Sequence, residues 1–151
     1  MIDLYEMKQE ELHHFWPFLQ RGVNDIHHDL KPNWLPEDIF AVLRNQQVSC
    51  VIARRGKRLL AFAIYSRQLR YFSFLPEIFI WVGWTIPMRE WQPEDDMPTV
   101  APTVVGYIVD QARKQGIDQV TWITRPNRAK AFARKFGWKP AWTTIAIEGI
   151  Q

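Results

Sequence analysis

Between Ile78 and Ile86 the chain reads Ile-Phe-Ile-Trp-Val-Gly-Trp-Thr-Ile, apolar at nearly every position. A strand with one wet face alternates apolar and polar residues, whereas a run without alternation has both faces covered. This segment therefore reads as a central strand. A helical pattern follows, with Val100, Val104, Val105, Ile108, Val109 and Ala112 on its buried stripe and Gly116 as the residue that ends it. A short strand over Gln119–Thr124 comes next. Strand, helix and strand in one sheet make a parallel crossover, which is right-handed.

The remaining segments place antiparallel strands around that unit. Met1–Met7 reads as a first strand, and Val48–Arg54, a turn at Arg55-Gly56-Lys57-Arg58, and Leu59–Arg67 as a hairpin. A first helix is expected from Gln9 to about Ile26, with Leu12, Phe15, Trp16, Leu19, Val23 and Ile26 on one stripe and a kink or break near Trp16 caused by Pro17. Pro36 opens a second helix with Glu37 and Asp38 in its first turn, where carboxylates complement the helix dipole. A last helix spans Asn127–Lys135, and a last strand Ala141–Ile147. The predicted fold is one α+β domain over residues 1–151, a mixed and mostly antiparallel sheet of about six to seven strands flanked by about four helices.

At 151 residues with 47% hydrophobic and 23% charged content, the chain is long and apolar enough for a folded core, which excludes a disordered protein. No apolar run reaches the length of a membrane span, and the N-terminus lacks the basic-then-apolar pattern of a signal peptide. A net charge of +3 is smaller than the clustered excess of a typical nucleic-acid binder. The single cysteine, Cys50, sits in an apolar run and reads as a buried, inert thiol. The pairs His13-His14 and His27-His28 have no carboxylate or cysteine at ligand spacing, so no metal site is expected. Arg125, Arg128, Lys130, Arg134 and Lys135 make the last helix basic, a possible face for an acidic protein or for nucleic acid, and equally what a solvated helix presents. Twenty-one Trp, Phe and Tyr residues read as a large-residue core with a few scattered surface aromatics, or else as a surplus that leaves some for a partner surface.

The element order, with the Asn127…Phe136-Gly137-Trp138 punctuation, resembles the second half of GNAT-type N-acetyltransferases. The resemblance implies a splay between strands four and five, opened by a bulge at Val82-Gly83-Trp84, with acetyl-CoA lying in the gap. Trp84 or Trp81 is a candidate to fill that gap. The resemblance also implies a glycine-rich loop that presents N–H groups to the pyrophosphate at the start of helix three. The matching segment, Met88–Thr99, holds no glycine; it has Pro93 and Pro98, which lack N–H donors, and Glu94, Asp95 and Asp96, which repel a diphosphate. It reads as a solvated acidic loop in which Arg89 is the one attractive group. The position of the tyrosine general acid falls on Ala133, which carries no proton to give. Glu77 is the best remaining base, and also what a strand end in water would show.

These departures point to a protein with no catalytic residues and no cofactor. If acetyl-CoA is held, the candidates are Val82, Gly83, Trp84, Arg89, Thr99, Val100 and Asn127. The Leu35-Pro36-Glu37-Asp38 opening and the Ile80-Trp81-Val82 strand are closest in character to GNAT-like proteins of tailed bacteriophages. That likeness implies a structural or assembly component of a virion, located in the host cytoplasm and the particle. Its partners would be other virion proteins, copies of itself being one option, with no membrane. The other two readings are an acetyl-CoA-dependent N-acetyltransferase with an atypical loop, and an adaptor that uses Arg125, Arg128, Arg134 and Lys135 to bind nucleic acid or protein.

Overall fold

The computed structural model describes residues 1–70, 73–124 and 126–137, without the side chains of 126–129 and 136. The described chain runs β1 (Asp3–Glu6), α1 (Leu12–Leu30), α2 (Pro36–Arg44), β2 (Ser49–Arg55), β3 (Arg58–Leu69), β4 (Pro76–Thr85), α3 (Met97–Lys114), β5 (Val120–Trp122) and α4 (Pro126–Phe136). Five strands pair in sequence order, antiparallel from β1 to β4 and parallel between β4 and β5. The α+β mixed sheet is as expected, but five described strands fall below the expected six to seven. The expected strand at 141–147 lies outside the described residues.

Helix boundaries differ from expectation at two prolines. Pro17 does not break α1, which continues to Leu30. It stands on an exposed face near the helix start, where its missing N–H costs one bond, and the stripe of Leu12, Phe15, Leu19 and Val23 holds the helix to the sheet. α3 starts at Met97 rather than Val100, because Pro98 falls in its first turn, where a proline has no hydrogen bond to lose.

One register shift decides how β4 presents its side chains. Ile64 faces Val82 and Tyr65 faces Ile80, which leaves Trp81 extra on the β4 side. A bulge of this kind reverses the alternation. Before it, Ile78 and Ile80 share a face with Tyr65; after it, that face carries Gly83, opposite Ala63. Val82 and Trp84 turn to the α1 side, where Trp84 packs on Phe18 and Phe62 at centroid distances of 5.5 and 5.8 Å. α1 comes so close here that a Cβ at Gly22 would stand 2.4 Å from Phe62 and 2.6 Å from Trp84. Glycine is the residue that permits this approach.

Candidate functional site

β5 pairs with β4 only from Ile78–Val120 to Ile80–Trp122. β4 runs on to Thr85, so its edge from Trp81 onward has no strand beside it among the described residues. The two strands thus part into a cleft, and the bulge at Trp81 lies where they part. An unpaired strand edge offers backbone N–H and C=O groups to whatever enters.

The chain fills much of this cleft with its own side chain. A Cβ at Gly83 would lie 2.8 Å from Cζ2 and 3.2 Å from Cε2 of Trp122. The indole therefore lies flush on the Gly83 backbone, and it stacks edge-on against Phe132 of α4 at 5.2 Å. Between Gly83, Trp122, Ala63, Val104 and Val105 about 20 Å³ remains, room for about one water molecule and far too little for a cofactor arm. The residue in the cleft is neither of the two expected. Trp84 is buried on the opposite face, donating to Asp25 Oδ2 at 3.1 Å, because the bulge reverses its direction. Trp81 donates to Ser66 Oγ at 2.9 Å and stacks on Phe79.

The segment expected as a solvated acidic loop is in part a buried clamp. Asp95 is fully buried, and both its carboxylate oxygens lie 3.0 Å from Nε of Arg58. It also accepts from the Gln92 N–H, while its carbonyl accepts from Arg55. Arg58 further donates to the Glu90 carbonyl at 2.6 Å. The basic turn between β2 and β3 thus neutralises the acid and ties the loop to the sheet. Glu94 and Asp96 remain exposed.

At the start of α3 little is left to hold a diphosphate. Pro98 has no N–H, the Thr99 N–H bonds the Asp96 carbonyl at 3.0 Å, and the Thr99 hydroxyl bonds both the carbonyl and the carboxylate of Asp96. Val100 is wholly buried. Arg89 projects into solvent, with Glu90 4.0 Å away.

Glu77, the sequence candidate for a base, is not a strand end in water. It is 6% exposed and accepts from Gln68, Gln119 and Thr121, each at 2.8 Å. It bridges β3, β4 and β5 at the closed end of the sheet, beside the Ile78–Val120 pair. From Gly83 it is about 20 Å along the strand, too far to reach an amine in the cleft. Ala133 is half-buried in α4, and Phe132 is buried beside it.

A second cluster leaves no mark in the sequence, because its members are far apart in the chain. The hydroxyls of Tyr65 and Tyr107 both donate to Oε1 of Glu6, from Tyr107 at 2.9 Å. Burial, then the hydrogen bond to Glu6, raises both phenols, Tyr107 to about 12 and Tyr65 further. Both phenols keep their protons at neutral pH and share them with the Glu6 carboxylate. Cys50 is buried, and burial likewise pushes its thiol up. Arg134 and Lys135 are exposed in the last turn of α4. Arg128 and Asn127 lie in α4 without described side chains, and Arg125 is outside the described residues. Among the described residues no three ligand side chains are gathered for a metal, and no helix is long and apolar enough to cross a membrane.

The same arrangement of elements occurs in solved structures. A ribosomal-protein-alanine N-acetyltransferase from Brucella melitensis biovar Abortus 2308 superposes with a TM-score of 0.67 at 13% identity, over 97% of this chain and 98% of that one. A predicted acetyltransferase from Clostridium acetobutylicum, solved with acetyl-CoA, gives 0.65 at 14% identity, over 97% and 96%. The chain has the GNAT fold. The aminoglycoside acetyltransferase AAC(6')-Iy, solved with a bisubstrate analogue of CoA, gives 0.66 at 16% identity, over 97% and 96%. No family model matches the sequence, and no curated protein matches it. The GNAT likeness is therefore carried by the fold.

Proposed function

We propose that this GNAT-fold chain does not transfer acetyl groups and acts through contacts with other proteins, as an assembly component of a tailed-phage particle. The observation that carries the first part is Trp122, whose indole lies on Gly83 in the cleft where the GNAT resemblance places the cofactor arm. The proline in the first turn of α3, the engaged carboxylate of Glu77 and the methyl group at Ala133 agree with it. The phage context rests on the likeness of Leu35-Pro36-Glu37-Asp38 and Ile80-Trp81-Val82.

A second reading, an acetyl-CoA-dependent N-acetyltransferase, has its own support. β4 keeps the bulge and the unpaired edge, and two of the similar structures hold acetyl-CoA or a CoA analogue. It requires Trp122 to swing out as the cofactor enters. Incubation with acetyl-CoA and a panel of primary amines, with free thiol measured over time, separates the two. The non-catalytic reading expects thiol release no faster than in protein-free buffer, and amine-dependent release overturns it.

A further inference from the structure

We infer that the turn between β3 and β4 is a docking tip for a lipid surface with anionic headgroups, at the opposite end of β4 from its unpaired edge. The turn joins Leu69 to Pro76. Leu69, Phe74 and Leu75 stand on it with 62%, 73% and 53% of their surface exposed. Turns are commonly built from Gly, Pro, Asn, Asp and Ser. The sequence here, Arg70-Tyr71-Phe72-Ser73-Phe74-Leu75, offers only Ser73 of these.

The needs of the fold do not account for Phe74. Its backbone has a φ of +58°, a left-handed conformation that is rare for a bulky residue and free of strain for glycine. The Phe74 N–H donates to the Arg70 carbonyl at 3.1 Å, and the Arg70 N–H to the Leu75 carbonyl at 2.7 Å. The turn is thus closed by its own backbone and not by burial of the ring. Phenylalanine at this position brings backbone strain and an exposed aromatic surface together, and strain kept at an exposed site points to a use there.

The charges beside the tip select the surface it meets. Arg67 and Leu69 are two residues apart on β3 and so share a face. Arg67 is exposed, as is Lys114 at the end of α3, and neither has an ion pair among the described residues. The end of α3 lies beside the turn, because Arg70 pairs with Asp118 shortly after the helix. That pair neutralises the exposed acid, and Glu77 is turned into the sheet. Free cations next to an apolar tip match an anionic partner.

Area and charge together favour lipid over protein. Three apolar side chains are few against the roughly 20 residues a side of a stable protein interface. A two-fold pairing of tips would also bring Arg67 and Lys114 of both copies together, and like charges repel. A convex tip needs an acceptor that yields around it. A lipid surface takes the apolar side chains at the acyl boundary while the two cations meet the headgroups. The contact is peripheral, since no described helix is long and apolar enough to cross a membrane.

The test is co-sedimentation of the full chain with vesicles of phosphatidylcholine containing one-third phosphatidylserine, and with phosphatidylcholine vesicles alone. The wild type, Phe74→Gly, and Arg67→Gln with Lys114→Gln are compared. All three residues are exposed, glycine suits the positive φ, and circular dichroism checks folding. Binding to the anionic vesicles and little to the neutral ones is expected. Phe74→Gly should weaken it at least about tenfold, as loss of one inserted aromatic side chain does, and each lost cation about fivefold. No binding to anionic vesicles, equal binding to neutral ones, or unchanged binding of Phe74→Gly overturns the inference. A dimer in sedimentation velocity that Phe74→Gly abolishes also overturns it, and assigns the tip to a second copy.

Discussion

The contact between Trp122 and Gly83 can be tested as a pair. Gly83→Ala places a methyl group 2.8 Å from Cζ2 of the indole, well inside contact distance. The ring is held from behind by Phe132 and cannot simply retreat. Overpacking of this kind costs about 1–3 kcal/mol. Trp122→Ala removes a half-buried ring; scaled down from the ~3–5 kcal/mol of a fully buried one, the loss is about 1.5–3 kcal/mol. In the double variant the methyl group meets no ring. There alanine in a strand interior is favoured over glycine by about 0.5–1 kcal/mol. The two changes should therefore be strongly non-additive, with a coupling of about 1.5–4 kcal/mol in the relieving direction. Urea denaturation of the four proteins at one pH gives the cycle. Additivity within about 0.5 kcal/mol would mean that the indole does not lie on Gly83, and the filled cleft would be refuted.

Other consequences concern the buried polar groups. Asp95→Ala should destabilise by about 2–3 kcal/mol in denaturant melts, at the low end for a broken buried pair because Arg58 is 35% exposed and can be rehydrated. Glu77→Ala should cost about 2–3 kcal/mol, since Gln68, Gln119 and Thr121 lose their common acceptor, while Glu77→Gln should cost clearly less. Tyr65 and Tyr107 titrate above free tyrosine, so their protonated forms favour the folded state. That stability is complete below pH ~10 and falls as pH rises toward the raised values, because the unfolded chain ionises first. Thermal melts between pH 9 and 12 should show the fall, and Tyr65→Phe with Tyr107→Phe should make the curve shallower.

The central strand was legible because both its faces are covered, which leaves an unbroken apolar run from Ile78 to Ile86. The crossover through α3 was legible for a similar reason, since its apolar residues keep helical spacing. Which tryptophan fills the cleft was not legible. The bulge at Trp81 reverses the alternation and sends Trp84 to the α1 side, and a bulge leaves no mark in a run that is apolar throughout. Trp122 reaches Gly83 only through the parallel pairing of β5, a contact across 39 positions of sequence. Asp95 looked solvated because its neighbours are acidic; its partner Arg58 comes from a distant hairpin turn. Glu77 and the Tyr65–Tyr107–Glu6 cluster share that character, being polar groups satisfied by residues that only the sheet brings together.

The most direct test of the filled cleft is a calorimetric titration of the wild-type protein with acetyl-CoA, and with CoA as control. An indole on Gly83, a proline in the first turn of α3 and an exposed acidic rim predict no saturable heat for either ligand, even at millimolar concentration. Micromolar binding of acetyl-CoA would contradict the account, because it would require Trp122 to leave the cleft and the strand edge to be free for the cofactor.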